Sequence, residues 1–241
     1  NGVDKIIHLA GASVAKRWTE SYKKEIISSR VQTTQTLYNL LKNSNHCVTQ
    51  IVSASAIGVY KHSFTKTYNE TSSEFGTGFL AQTVQLWEAE VDRFSDLKIR
   101  VTKLRIGMVL SNKDGAFVQL KSSIDNYIGA SLAPGKQVVS WIHLNDLAQL
   151  FLHVINKNLN GVYNAVAPNS VTNKQLVSAI AEQLRKPLFL PNIPKFILKL
   201  GLGDMHKLIC ESQKVSSKKI QATGFNFQYQ DINTAIASLL S

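Results

Sequence analysis

The feature that most constrains this chain is an alternation, through its first half, of short apolar runs with long stretches of helical period. Val3 to Leu9 is a short apolar run ending in Ala10-Gly11, which reads as a buried strand and a glycine turn. In the segment Thr19 to Lys42, Thr19 can cap a helix. Ile26, Ile27, Val31, Thr34, Leu37, Leu40 and Leu41 then recur on one face. Gln50 to Ser53 predicts a second strand, with a small-residue turn from Ala54 to Gly58. Phe79 to Phe94 predicts a second helix, and Arg100 to Val109 a third strand rich in Val, Leu and Ile. Strands joined by helical crossovers lie parallel, with helices on both faces of the sheet. The fold class predicted is therefore α/β, with a doubly wound parallel sheet.

After Leu110 the pattern becomes mixed. Lys113-Asp114-Gly115 is a turn, Phe117 to Ile128 is expected to be helical, and Val138 to His143 is strand-like. Asn145 or Asp146 can cap a helix from Leu147 to Asn156. Gly161 to Val166 predicts a strand, and Thr172 opens a helix through Leu184. The tail from Pro187 to Ser241 holds short amphipathic pieces broken by Pro191, Pro194 and Gly224.

Composition narrows the function classes. The 241 residues are 44% hydrophobic, enough for a real core. No apolar run is long enough to span a bilayer, and Asn1 to Lys5 lacks a signal-peptide layout. Cys47 and Cys210 are far apart and form no CxxC pair, which points to a reducing compartment and no metal site. A cytoplasmic protein is expected. The net charge of +11 admits nucleic acid, an acidic membrane or an anionic ligand. No block of five or more like charges occurs, so a solvated lysine-rich face is favoured, with neither nucleic acid nor membrane as partner.

A set of motifs then falls in order along the chain. They are HLAG (His8 to Gly11), KRWT (Lys16 to Thr19), Ser29-Arg30 with Thr33 to Leu37, and Trp87-Glu88. LRIGMVL (Leu104 to Leu110), WIHLND (Trp141 to Asp146), GVYNAVAP (Gly161 to Pro168), ESQKV (Glu211 to Val215) and ATGFNFQY (Ala222 to Tyr229) follow. In this order and spacing the chain resembles the epimerase-like family of atypical extended short-chain dehydrogenases/reductases with a small C-terminal domain of unassigned function. The resemblance implies a Rossmann-like NAD(P)-binding domain over residues 1–168. It also implies a small mixed C-terminal substrate lobe over 169–241, to which 116–137 contributes. Members begin with a βαβ unit whose glycine loop holds the cofactor pyrophosphate. No such loop is present, so by comparison the chain starts late by roughly 50 to 60 residues.

The resemblance also marks a departure. The superfamily's catalytic tyrosine and lysine stand YxxxK on one helix. Here those positions are Leu80 and Val84, while Glu88 is kept. The YxxxK at Tyr38 to Lys42 lies on the wrong helix and is read as chance. Ser55 matches the catalytic serine, with two readings open: a reacting hydroxyl, or one that closes the strand–helix turn. Tyr60 could replace the missing phenol, although a half-buried loop aromatic is the preferred reading.

The cofactor residues implied are Leu9, Ala10, Gly11, Glu25, Arg30, Ser53 and Val109. Arg30 could hold a phosphate or pair with Glu25, and Val109 would pack at the nicotinamide end. His143 is expected to bond to backbone, and Arg105 to be structural or to line the cleft mouth. NADP is the implied cofactor, with NAD as the alternative. The expected function is an NADP-dependent oxidoreductase or nucleotide-sugar-epimerase-like protein acting on a small molecule, with homodimerisation possible. The alternative is a non-catalytic dinucleotide-binding sensor or scaffold.

Overall fold

The computed structural model describes residues 2–240; Asn1 and Ser241, the outer ends of the two expected domains, lie outside the described residues. In chain order, β1 (Lys5–His8) leads through α1 (Glu20–Lys42) to β2 (Gln50–Ala56) and the short β3 (Thr67–Tyr68). Next come α2 (Phe79–Asp92), β4 (Arg100–Ile106), β5 (Met108–Leu110) and α3 (Ala116–Asp125). They are followed by β6 (Val138–Val139), β7 (Trp141–His143), α4 (Leu144–Asn156), β8 (Gly161–Ala165), β9 (Val171–Thr172) and α5 (Asn173–Gln183). The tail carries α6 (Lys195–Leu202), α7 (His206–Cys210), β10 (Lys214–Val215), α8 (Lys218–Gln221) and α9 (Ile232–Leu240).

The central sheet is parallel throughout, in the order β1-β2-β4-β8. Successive strand residues face opposite sides. Ile51 therefore packs with Tyr38, Leu41, Trp87, Val91 and Phe94 under α1 and α2. Its neighbour Val52 packs with Leu150, Phe151 and Val154 of α4 on the other side. Helices on both faces explain why these strands read as continuous apolar runs. Burying each such side chain contributes about 1.5–3 kcal/mol. A separate core around Phe117, Ile124, Trp141, Leu176, Ile180 and Ile236 joins α3, α5 and α9 to β5 and β7.

Several elements differ from the sequence expectation, each for a local reason. The strand expected over Arg100–Val109 breaks at Gly107. Beyond it β5 leaves the central sheet and pairs with β7. A Cβ at position 107 would lie 2.3 Å from the Ser140 carbonyl oxygen, so this approach requires glycine. The expected strand Val138–His143 is divided at the same contact. There the Ser140 hydroxyl donates to the Gln213 carbonyl and accepts from the Val215 amide.

Ala54 to Ala56 do not open the expected turn. They continue β2, in register with β4 as far as Ala56 opposite Ile106. The helix expected over 117–128 stops at Asp125, and Tyr127 takes a φ of 61°. The cap of α4 is His143, whose Nδ1 accepts the Asn145 amide. Asp146 serves the tail instead, accepting the amides of Gln228 and Tyr229. Thr19 caps α1 as expected, accepting from the Tyr22 amide.

Candidate functional site

Ligands of open parallel sheets lie beyond the carboxyl ends of the strands. Leu9, Ala10 and Gly11 leave β1 at that edge. All three are exposed, and Leu9 keeps 62% of its surface. Their turn is held to α1 by the Ala12 amide, which donates to Ser29 Oγ at 2.9 Å. Arg30 closes on the same turn: a Cβ at Gly11 would sit 2.9 Å from its guanidinium carbon. The guanidinium lies over the Trp87 ring, 5.3 Å from its centroid, and donates to the Ile26 carbonyl at 3.0 Å. Among the described residues it has no carboxylate partner, and burial lowers its proton affinity.

The Arg30–Glu25 pair, one of the two readings of Arg30, does not form among the described residues. Residues five apart on a helix do not face each other as those three or four apart do, and Glu25 stands exposed on α1. Ser53 is fully buried. Its hydroxyl donates to the Ala54 carbonyl and meets His8 Nδ1 at 3.3 Å. Beside it, His8 Nε2 and Trp87 Nε1 are buried polar atoms without a hydrogen-bond partner among the described residues. Val109 is displaced with β5 from the central sheet and packs half-buried against the core on the α4 side.

Ser55 and Tyr60 meet on one buried network. Glu88 of α2 accepts two bonds from Arg105, from Nε at 2.8 Å and Nη2 at 2.7 Å. Ser55 donates to the same carboxylate at 2.5 Å. Arg105 Nη1 donates to the Tyr60 hydroxyl at 3.0 Å, and that hydroxyl donates to Asn164 Oδ1 at 2.8 Å. Burial pushes the Glu88 carboxyl up. The bonds and charge of Arg105, the Ser55 bond and the charge of Lys103 outweigh it, leaving the carboxyl below the usual range. Tyr60 is 1% exposed. Burial drives its phenol pKa up, against the opposing pull of Arg105. Leu80 and Val84 lie one turn apart on α2, ahead of Glu88 on the same face.

A cavity of about 180 Å³ opens beside Leu80. Trp18, Phe79 and Leu80 form its apolar wall, and Gly76 to Gly78 its rim at the start of α2. Lys61 and His62 enter from the loop after Tyr60, and Lys207 and Glu211 from the C-terminal segment. Sequence reasoning missed these four. They sit on irregular segments far apart in the chain, and only the ESQKV motif, which begins at Glu211, marked any of them.

The parallel sheet β1-β2-β4-β8, with helices on both faces, makes this an α/β fold of the Rossmann-like class. The sequence model of the NAD dependent epimerase/dehydratase family matches residues 1–166, and the chain belongs to that family. A domain of unknown function (DUF1731) matches residues 193–239. An epimerase family protein of Staphylococcus saprophyticus is 39% identical over 239 residues, which is 99% of this chain and 80% of that protein. One from Staphylococcus aureus is 37% identical over 240 residues, with 99% and 80% covered. The crystal structure of human epimerase family protein SDR39U1 (isoform 2) with NADPH superposes with a TM-score of 0.92 at 28% identity, covering 99% of this chain and 82% of that one. UDP-glucuronic acid 4-epimerase from Bacillus cereus, in complex with NAD, shares the fold with a TM-score of 0.79 at 13% identity, covering 98% and 72%. Among the described residues no helix is long and apolar enough to cross a membrane.

Proposed function

We propose that this protein is an NADP-dependent oxidoreductase of the epimerase family acting on a small molecule. In this reading residues 1–168 form the cofactor domain, and 169–241 with 116–137 the substrate lobe. The observation that carries it is Arg30, a half-buried cation without a carboxylate partner among the described residues, set against the exposed turn Leu9 to Gly11 at the sheet edge. Such a guanidinium suits a phosphate or ribose oxygen, and exposed Leu9 offers an apolar surface to a ring. The human relative solved with NADPH supports the phosphorylated cofactor, while more distant structures with the same fold carry NAD. When bound, the reduced nicotinamide supplies a hydride. The free thiol Cys47 and the buried free thiol Cys210 agree with a cytoplasmic setting.

The geometry favours a positioning role for Ser55 and Tyr60. Both protons are committed, one to Glu88 and one to Asn164, and burial makes the phenol a weaker acid than usual. They fix β2, α2, β4 and β8 relative to one another beneath the cavity. The second reading, a non-catalytic dinucleotide sensor, draws on Leu80 and Val84 standing where the superfamily has tyrosine and lysine.

Titration with NADPH and NADH, followed by quenching of tryptophan fluorescence, tests the cofactor assignment. NADPH is expected to bind more tightly than NADH. Arg30→Gln is expected to weaken NADPH by about tenfold, the effect of losing one charged hydrogen bond. Equal NADPH affinity in wild type and Arg30→Gln would remove Arg30 from the site. Turnover across a panel of carbonyl compounds separates the enzyme from the sensor.

A further inference from the structure

The cavity beside Leu80 is built by both parts of the chain, and the C-terminal part acts on one particular side chain. The Ser212 amide donates to His62 Nδ1 at 2.7 Å. A nitrogen that accepts this bond carries no proton, so the neutral ring holds its proton on Nε2. The Ser63 amide returns a bond to the Ser212 carbonyl at 2.9 Å, and Gln213 Nε2 donates to the Tyr60 carbonyl at 2.6 Å. Next along the chain, β10 pairs with β3. The loop carrying Lys61 and His62 is thus tied to the segment carrying Lys207 and Glu211.

The charges facing this space are mostly positive. The ammonium groups of Lys61 and Lys207 line it beside the neutral His62 ring, with Glu211 as the single acid among the lining residues. Burial pushes the Glu211 carboxyl up, against the opposing pull of neighbouring basic groups. Lys23, over the Phe79 ring, is already paired with Glu20 and Asp204. Gly78 begins α2 without a side-chain cap, so the positive end of that helix also stands at the rim. The volume of about 180 Å³ falls below the ~300–1,000 Å³ of ordinary ligand pockets. A nucleotide sugar does not fit inside it.

We propose that this cavity recognises a small substrate bearing a carboxylate or phosphate, with Lys207 and the Nε2–H of His62 as donors, and that the C-terminal domain completes the site by supplying Lys207 and fixing His62. This rests on the oxidoreductase reading for the reaction, but not for the binding. The test uses the full chain with 15N-labelled histidine, titrated with pyruvate and with inorganic phosphate, each with and without NADPH. The free protein is expected to show His62 protonated on Nε2. Pyruvate, phosphate or both are expected to shift that nitrogen saturably, identifying which oxoanion the site takes. Lys207→Ala, an exposed change that leaves the core intact, is expected to weaken the probe about tenfold or more. His62→Phe should weaken it similarly, and His62→Gln, which retains a donor, should recover part of the loss.

The proposal is overturned by no saturable shift with either probe, by unchanged binding in Lys207→Ala, or by displacement of the bound probe by UDP-glucose. Failure to bind NADPH, with probe binding intact, would instead sink the cofactor reading and leave the anion site standing.

Discussion

Arg105→Ala is expected to destabilise the protein by about 3–5 kcal/mol, because it strands the Glu88 carboxylate in the interior. The pair is enclosed, with Arg105 4% and Glu88 8% exposed. Glu88 would retain the Ser55 hydroxyl and the distant Lys103 ammonium, 3.9 Å away, but lose both guanidinium bonds. The Tyr60 hydroxyl would lose a donor as well. For a chain of this size the expected fall in Tm is about 2–4 °C per kcal/mol, so roughly 10 °C in total.

The pH dependence gives a second signature. The folded-state pKa of Glu88 is depressed, so its contribution is present above the unfolded value and lost as pH falls through the folded one. In Arg105→Ala the chief depressant is gone and burial remains. The gap between wild type and variant should therefore narrow as pH falls from the variant's raised pKa, above the ordinary carboxylate value of about 4.3, toward the depressed wild-type one. Urea melts of both proteins from pH 3.5 to 7.5 check this. A second arm replaces both partners, Arg105→Met with Glu88→Gln. This removes the stranded charge and should cost less than the sum of the two single changes. A loss under 1 kcal/mol for Arg105→Ala would mean that the network is solvated rather than buried.

How much of this was legible in the sequence depends on how local each signal is. The extent of α1 was readable because Thr19, the apolar face from Ile26 to Leu41 and the last-turn Lys42 all lie within one element. The parallel sheet was readable from strands continuous in apolar residues, since both faces are covered. The break at Gly107 was not, because its cause is a carbonyl at Ser140, contributed from beyond α3. The same holds for Asp146, whose acidic side chain next to a helix start looks like a cap. Only the folded tail shows that it receives two amides instead. At the candidate site, Leu9, Ala10, Gly11 and Arg30 were found through a motif resemblance and do share one corner. Glu25 came with them on the same ground, yet helical geometry turns it away. His62 and Lys207 carried no pattern at all, since the chemistry that distinguishes them is a tautomer and a cavity wall made by contact across the fold.

Gly107→Ala is expected to be the most damaging conservative substitution in the chain. The added methyl would stand 2.3 Å from Ser140 O and 2.8 Å from Val166 Cγ1. Neither neighbour is the free end of a long side chain, so the backbone has to shift. Overpacking of this kind costs about 1–3 kcal/mol, and more where backbone is the obstacle. The displacement has a path to follow. Ser140 moves with its carbonyl, and its hydroxyl holds Gln213 and Val215, which attach the C-terminal segment to the sheet domain. Hydrogen exchange at the Val215 amide should therefore accelerate more than exchange in β2, which does not touch Ser140. Gly201→Ala supplies the contrast. It lies within α6 with nothing within 4 Å of the new Cβ. Removing a helical glycine there should stabilise by up to about 1 kcal/mol. If Gly107→Ala melts at the wild-type urea midpoint, close backbone approach is not what divides the third strand. If it melts early but Val215 exchanges as before, the strain is absorbed within β4 and β5, and the tie between sheet and C-terminal segment does not run through Ser140.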